Sequence, residues 1–320
     1  MNKILGVTLL LVVACAEAAP PPPSPAPQAS ADTSAVPAPV TQAAADVSGE
    51  RAFEQLKQLV AIGPRPAGSP GMQQQRAHIT TQMKALRLTV TEQAFMATTP
   101  VGQVAMANLI VTLPGTRPER ILITSHYDTK PFNDIVFVGA NDGGSSTALL
   151  MELARVLKDK PREYTYELVF FDGEEAWGDW TTGNTFGSRH YVEAAKKAGT
   201  LGSLKAMILL DMIGERGLEL KQDTNSTRWL NDLFWRTAGR LGHTRTFVAN
   251  ITTIEDDHIP FRDAGVPVID LIDLEYGPNA SHWHTAEDTL DKIDPRSMKI
   301  VGDVVVAALP EIEKRLASGG

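Results

Sequence analysis

The sequence predicts an α/β fold with a mixed, largely parallel central sheet flanked by helices. Short apolar runs typical of buried strands alternate with longer segments of helical period through most of the chain. The clearest run is Leu168–Phe171, closed by Asp172 and Gly173, as expected of a strand buried on both faces of a parallel sheet. A length of 320 residues suits one large α/β domain or two small ones, and no internal repeat is evident.

The predicted helices have apolar side chains at helical spacing or recognisable start and end signals. Ser69 is a suitable N-cap, because Pro70 would then occupy the first helical position. Small residues at 143–146 let another helix begin abruptly beside Asp142. The predicted helices span about residues 50–62, 70–86, 146–157, 187–198, 226–241 and 295–316.

The predicted strands are short apolar runs bounded by polar or turn-forming residues. They span about residues 90–97, 104–113, 121–124, 166–171, 206–211 and 266–271. The first two are joined by a short turn and are expected to pair antiparallel at the sheet edge. Residues 254–261 are expected to form an acidic loop.

Residues 1–18 are predicted to be a signal peptide, because a charged start precedes an apolar run, Ile4–Ala14, that is too short to span a bilayer. Ala16-Glu17-Ala18 is a small-x-small cleavage site, which predicts simple secretion. Val12-Val13-Ala14-Cys15 instead resembles the lipobox of bacterial lipoproteins, which predicts a lipid anchor on Cys15, the only cysteine. Either alternative predicts an exported bacterial protein, in the periplasm or anchored to a membrane as a lipoprotein.

The composition separates a tether from a folded domain. Residues 19–48 are rich in Pro, Ala, Ser and Thr and have few large apolar side chains, so they are expected to be a disordered tether. Residues 49–320 are expected to form a single catalytic domain. The net charge of −8 and the lack of a basic patch argue against nucleic acid as a partner.

Potential metal ligands and proton carriers follow the ends of the predicted strands or open the helix behind one of them. They are His126, Asp142, Glu174, Glu175, Asp211 and His284. Each alone has an ordinary explanation, such as a buried histidine, a helix cap or a turn carboxylate. Together they are expected at the carboxyl edge of the sheet, where open α/β sheets bind ligands. Imidazole nitrogens and carboxylate oxygens are the ligands of catalytic zinc.

Five segments resemble the zinc-dependent aminopeptidase superfamily: His126–Asp128, Asn141–Asp142, Glu174–Glu175, Asp211–Met212 and His284–Thr285. Longer strings more closely resemble the animal-type glutaminyl-peptide cyclotransferases (glutaminyl cyclases). These strings are Phe170–Ala176, Trp180, Phe186–His190, Glu255–Phe261, Gly265–Val268 and Trp283–Thr285. The resemblance covers roughly Phe53 to the end of the chain and implies a mixed central sheet flanked by helices.

The resemblance implies one Zn²⁺ ion, held by Asp142, Glu175 and His284. It also implies that Trp180 and Trp283 line a pocket for an amino-terminal glutamine. The implied partners are peptides or proteins that begin with glutamine. The implied reaction converts that glutamine to pyroglutamate and releases ammonia, while zinc polarises the side-chain amide.

In this reaction Glu174 would be the proton carrier, and Asp211 and Asp256 would form an acidic hydrogen-bond network beside it. The chain departs from the animal enzymes in three respects. It has no cysteine pair, Glu255 replaces an amide, and the loop Tyr276–His282 lacks an expected aromatic residue near the pocket. These differences bear on substrate preference more than on the type of reaction.

Two other functions fit the same residues. A two-zinc metalloaminopeptidase would use His126 and Asp211 for its second metal, and Glu174 would activate water. A non-catalytic peptide-binding lipoprotein is the other alternative, although the intact Glu174 and ligand set argue against it. The physiological substrate, the number of metal ions and the oligomeric state stay open.

Overall fold

Eight strands form two sheets in the part of the chain described by the computed structural model, residues 47–319. The strands are β1 (Val90–Thr99), β2 (Gly102–Leu113), β3 (Arg117–His126), β4 (Tyr164–Phe171), β5 (Leu204–Asp211), β6 (Leu220–Asp223), β7 (Phe247–Thr252) and β8 (Val268–Ile272). The larger sheet has the order β1-β2-β4-β3-β5-β8, and β6 pairs with β7 in a small second sheet.

The larger sheet is mixed, as predicted. Strands β4, β3, β5 and β8 run parallel to one another. Strand β2 pairs antiparallel with both β1 and β4, so the predicted antiparallel pair lies at one edge. The parallel half therefore carries its four carboxyl ends on one side, where the candidate site lies.

Seven α-helices accompany these strands within residues 47–319. They are α1 (Gly49–Ala61), α2 (Pro70–Ala85), α3 (Ser146–Leu157), α4 (Phe186–Lys197), α5 (Arg228–Arg240), α6 (His258–Asp263) and α7 (Pro295–Ala317). Ser69 caps α2 as predicted, since its side chain accepts a hydrogen bond from the backbone N–H of Met72 and Pro70 follows it. None of these helices is both long enough and apolar enough to span a membrane.

The helices cover both faces of the larger sheet. Ile121 and Ile123 of β3 belong to the main apolar core, which also contains side chains from α1, α2, α3, α5 and α7. Leu122 points to the opposite face and packs with residues of α4 and α6. Because successive side chains of a strand alternate between faces, a continuous apolar run such as that of β3 or β4 is buried on both sides.

Two expectations differ from the structure. The segment 254–261 was expected to be a loop, but α6 begins within it at His258, and Pro260 falls in the first turn, where it breaks no helical hydrogen bond. The small sheet of β6 and β7 was not predicted, because Leu220–Asp223 is only four residues long and three of them are polar.

The predictions for the amino terminus lie almost entirely outside the described residues. The signal peptide at 1–18, the lipobox with Cys15 and all but the last two residues of the tether at 19–48 belong to this part. The described chain begins at Val47, and Ser48 is the N-cap of α1. The assignment of 49–320 as one catalytic domain stays a prediction.

Candidate active site

The ends of the parallel strands bring the predicted site residues to one edge of the sheet. His126 and Asp211 are the last residues of β3 and β5, and Glu174 follows shortly after β4. Strand β3 lies between β4 and β5, so the three strand ends are neighbours. Asp142 reaches the same place from the turn before α3, and His284 reaches it from the loop after β8.

These side chains form two overlapping groups of potential metal ligands. The deep group consists of His126, Asp142 and Asp211, and the pocket-facing group consists of Asp142, Glu175 and His284. Within each group the ligand atoms lie within 4.8 Å of one another. Asp142 is shared, because its Oδ1 is 3.3 Å from Nε2 of His126 and its Oδ2 is 3.3 Å from Nε2 of His284.

The deep group is centred on a buried histidine, His126. Nε2 of His126 lies 3.0 Å from Oδ1 of Asp211, and its Nδ1 lies 3.5 Å from Oδ1 of Asp128. Burial lowers the pKa of His126, but the carboxylates of Asp211, Asp128 and Asp142 outweigh burial and raise this pKa well above its usual value. The deep group is therefore a region of strong negative potential.

The pocket-facing group opens into a cavity of about 410 Å³. Asp142, Glu175 and His284 all line this cavity, whereas His126 does not. Nε2 of His284 is 3.2 Å from Oε1 of Glu175, and the His284 side chain is 23% exposed. Burial lowers the pKa of His284, but the adjacent carboxylates of Asp142 and Glu175 outweigh this and raise the pKa to about 9.

The residues of the pocket-facing group fit a divalent metal ion. One imidazole nitrogen and two carboxylates are a typical donor set of catalytic zinc, which keeps an open position for substrate. Oδ2 of Asp142 is buried, and within residues 47–319 no donor reaches it in hydrogen-bond geometry, although Nε2 of His284, itself a potential ligand, lies 3.3 Å away. A buried carboxylate oxygen without a donor is costly unless a cation satisfies it.

Glu174 lies at the boundary between the two groups. Its side chain is buried, lines the cavity and has Oε2 3.8 Å from Nδ1 of His126. Burial raises the pKa of the Glu174 carboxyl well above its usual value. A carboxyl group with a raised pKa can both accept and return a proton near neutral pH.

Asp211 and Asp256 line the same cavity as Glu174. Burial, followed by the charges of Asp211 and Asp257, raises the pKa of Asp256 well above its usual value. Within residues 47–319 no hydrogen bond joins Glu174 to Asp211 or Asp256, so the acidic network stays a prediction, supported by their place around one cavity.

Both predicted tryptophans line the cavity. Trp283 stacks on the imidazole of His284, with ring centroids 4.2 Å apart and planes inclined by 24°, and it is 37% exposed. Trp180 begins a short 3₁₀ turn after β4. The cavity therefore has apolar walls beside the carboxylates at its base, as small-molecule sites usually have.

Sequence reasoning missed three residues that contact the pocket-facing group. Nζ of Lys130 is 3.4 Å from Oε2 of Glu175. The rings of Phe132 and Phe137 contact His284 edge-on, with centroids 6.1 and 6.0 Å away. All three belong to the segment between β3 and α3. These aromatic contacts to His284 therefore come from this segment and not from the loop Tyr276–His282, where an aromatic residue was expected. The only signal in the sequence was their position shortly after His126.

The cavity also contains Glu255, which is exposed and lies on its lining. The carboxylate of Glu255, which replaces the amide expected from the animal enzymes, therefore lies at the pocket itself.

Comparison with known proteins identifies the relatives of this chain. Residues 108–309 match the family model described as peptidase family M28. A glutaminyl-peptide cyclotransferase of Bos taurus is 31% identical over 281 residues, which cover 72% of this chain and 73% of the bovine protein.

Solved structures agree with these matches. The glutaminyl cyclase of an Acidobacteriales bacterium is 41% identical and superposes with a TM-score of 0.81, covering 87% of this chain and 99% of that one. The glutaminyl cyclase of Porphyromonas gingivalis is 29% identical with a TM-score of 0.76, covering 83% of this chain and 98% of that one.

Proposed function

The chain belongs to peptidase family M28 and, within it, to the glutaminyl-peptide cyclotransferases, and we propose on that premise that it converts the amino-terminal glutamine of peptides or proteins to pyroglutamate with release of ammonia. One observation carries the proposal. The three ligands of the pocket-facing group and the buried carboxyl of Glu174 meet at the base of a cavity whose walls include Trp180 and Trp283.

Asp142, Glu175 and His284 would hold one Zn²⁺ ion. Bound there, zinc supplies Lewis-acid polarisation of the glutamine side-chain amide. Lys130 would hold the second oxygen of Glu175, from which its Nζ is 3.4 Å away, and so orient the carboxylate.

Glu174 would move the proton. In the reaction, the α-nitrogen forms a bond to the side-chain amide carbon, and the bond from that carbon to the amide nitrogen breaks. The α-ammonium gives up two protons in total. Glu174 takes one and passes it to the leaving nitrogen, which departs as ammonia, and the other is released to solvent or to the ammonia. The raised pKa of Glu174 suits it to this transfer.

Asp211 and Asp256 would hold the Glu174 side chain in position and keep its pKa raised. Because the pKa of Asp256 is raised well above its usual value, this carboxyl can carry a proton and donate a hydrogen bond near neutral pH. Asp211 is held by His126, whose Nε2 lies 3.0 Å from its Oδ1.

The tryptophans would shape the pocket for an intramolecular attack. The two reacting groups belong to the same residue, so the protein needs mainly to hold the glutamine side chain in a folded conformation. Flat apolar walls favour that compact shape and exclude water, which would otherwise hydrolyse the amide.

The test is incubation of the zinc-loaded protein with a short peptide that begins with glutamine, followed by mass spectrometry. We expect loss of ammonia with every peptide bond intact. A matched peptide that begins with asparagine is the control, since its shorter side chain cannot form the five-membered ring. Release of the first amino acid would contradict cyclisation.

A two-zinc aminopeptidase is the second candidate, and the deep group is the observation that favours it. His126 and Asp211 share Asp142 with the pocket-facing group, so a second ion has three ligands available. Metal analysis separates the two functions, since we expect one zinc per chain for the cyclase and two for the peptidase.

The proposal for the cellular location rests on amino-terminal residues that lie outside the described residues 47–319. We propose that the protein is exported from a bacterial cell and held at a membrane by a lipid on Cys15. Replacing the thiol in Cys15→Ser should move the protein from the membrane fraction to the soluble fraction. An unchanged membrane fraction would contradict lipidation, and a soluble wild-type protein would indicate simple secretion.

A further inference from the structure

The turn that carries Asp142 leaves the regular helical path. Asp142 has φ −76° and ψ 112°, and Gly143 has φ +70°. A side chain at Gly143 would meet the backbone oxygen of Asp128 at 2.4 Å and the His126 ring at 3.0 Å, so this position has room only for glycine. The backbone N–H groups of such a turn make no helical hydrogen bonds, so they need other hydrogen-bond acceptors.

Asp288 supplies these partners. Its Oδ1 accepts a hydrogen bond from the backbone N–H of Asn141 at 2.7 Å, and its Oδ2 accepts one from the backbone N–H of Asp142 at 3.1 Å. The hydroxyl of Tyr276 donates to the same Oδ1 at 2.9 Å. Asp288 and Tyr276 are both fully buried.

The same arrangement holds the other ligand segment. Oδ1 of Asp128 accepts a hydrogen bond from the backbone N–H of Glu174 at 3.1 Å, and its Oδ2 accepts one from that of Glu175 at 3.2 Å. Each of two buried carboxylates thus binds two consecutive backbone N–H groups, and the second residue of each pair is a ligand of the pocket-facing group. Both arrangements fix the peptide plane from which the ligand side chain projects.

Asp288 has an additional property that follows from its position in the chain. It lies four residues after His284, in the same loop, and its backbone N–H donates to the carbonyl oxygen of Thr285 at 3.2 Å. The loop that delivers His284 therefore also holds Asp142. A backbone hydrogen bond from the N–H of Ala140 to the carbonyl oxygen of Asp288, at 3.4 Å, joins the two segments as well.

We propose that Asp288, held by Tyr276, is a positioning residue that preorganises Asp142 and His284 before the metal ion binds. The proposal rests on the proposed assignment of these two residues as metal ligands. Partners that orient metal ligands without touching the metal typically change metal affinity about 10–100-fold when they are mutated.

Asp273 offers a matched control. Its Oδ2 accepts a hydrogen bond from the backbone N–H of Glu219 at 2.9 Å, and its Oδ1 accepts one from that of Glu275 at 3.2 Å. It is buried like Asp288, but neither N–H group belongs to a ligand segment. Asp273→Asn therefore removes the same kind of contact outside the two segments that carry the proposed ligands.

The experiment measures the zinc dissociation constant of Asp288→Asn, Tyr276→Phe and Asp273→Asn by competition with a chromogenic chelator, together with the thermal unfolding of each metal-free protein. The asparagine oxygen of Asp288→Asn can serve only one of the two N–H groups, so we expect the constant to rise about 10–100-fold. Tyr276→Phe should raise it less, and Asp273→Asn should leave it unchanged while lowering thermal stability.

An unchanged dissociation constant in Asp288→Asn would overturn the proposal, as would an equal rise in Asp273→Asn, which would indicate general loosening. If Asp288→Asn does not fold, Tyr276→Phe decides, because an unchanged constant there overturns the proposal in the same way. The readout contains no peptide substrate, so it does not depend on which reaction the protein catalyses. An error in the ligand assignment would appear separately, as full zinc affinity in His284→Ala.

Discussion

The deep group and the pocket-facing group are built from the same kinds of ligand and share Asp142, yet they differ in what can reach them. His126 is 1% exposed and does not line the cavity, whereas all three members of the pocket-facing group do. A metal ion in the pocket-facing group would have an open position toward a substrate. Ligand type and spacing are therefore insufficient to locate the reactive metal, and what distinguishes the two groups is whether their histidine faces the cavity.

The surroundings of the two groups differ as well. The deep group is bordered by further acids, with Asp128 3.5 Å from His126. The pocket-facing group is bordered by the cation of Lys130 and by the aromatic rings of Trp283, Phe132 and Phe137. Aromatic surfaces exclude water and suit the binding of an organic substrate. The comparison therefore supports the proposal that substrate binds at the pocket-facing group.

The largest expected effect comes from removing one histidine from each group. His284→Ala should reduce zinc content from about one ion per chain to nearly none and abolish turnover, because only two ligands of the pocket-facing group would remain. His126→Gln should keep one zinc per chain. Metal analysis after dialysis measures both. Loss of zinc from His126→Gln with retention in His284→Ala would reverse the assignment of the two groups.

The second largest expected effect is on turnover and comes from replacing Glu174, which lies between the two ligand groups. Glu174→Gln preserves the size of the side chain but cannot carry a proton, so we expect kcat to fall about 10²–10⁴-fold with zinc content unchanged. Steady-state kinetics on a glutamine-initiated peptide measures this. Glu287→Gln is the control, since Glu287 is an exposed residue of the His284 loop that pairs with Lys292 at 3.3 Å. Near wild-type kcat in Glu174→Gln would remove Glu174 from the proton-carrying role.

The smallest expected effect tests the aromatic border of the pocket-facing group. Trp283→Ala should raise KM about twofold to tenfold, equivalent to about 0.5–1.5 kcal/mol of lost aromatic contact. Trp283→Phe should recover most of the loss, because a flat ring can still contact the substrate. Zinc content should be unchanged in both variants. A fall in kcat at constant KM would instead indicate that Trp283 orients His284 rather than the substrate.

Much of the fold was predictable because it depends on local patterns. Continuous apolar runs identified the four parallel strands of the main sheet, and Ser69 with Pro70 identified the start of α2. Strand ends then placed His126, Asp211 and the two glutamates at one edge. The prediction of secondary structure failed for short elements. Examples are the four-residue strand Leu220–Asp223 and the six-residue helix His258–Asp263.

Other parts of the site could not be predicted because they depend on contacts between distant backbone segments. Asp288 binds N–H groups of residues 141 and 142, nearly half the chain away, and nothing in its local sequence indicates these partners. Phe132 and Phe137 are likewise ordinary loop residues until the fold sets them against His284. Backbone hydrogen bonds carry no side-chain signature at the donor, so pattern reasoning cannot find them.

The sequence by itself determined the fold class, the edge of the sheet at which the chemistry lies and the identity of the candidate ligands, because strand periodicity and the order of strands and helices are local properties of the chain. Only the tertiary structure decided that Asp142 is shared between two ligand groups, and that His284 of one group faces the cavity while His126 of the other does not. It also decided which buried carboxylates hold the ligand segments. The physical reason is that exposure, cavity shape and long-range hydrogen bonds arise only when distant segments pack against one another.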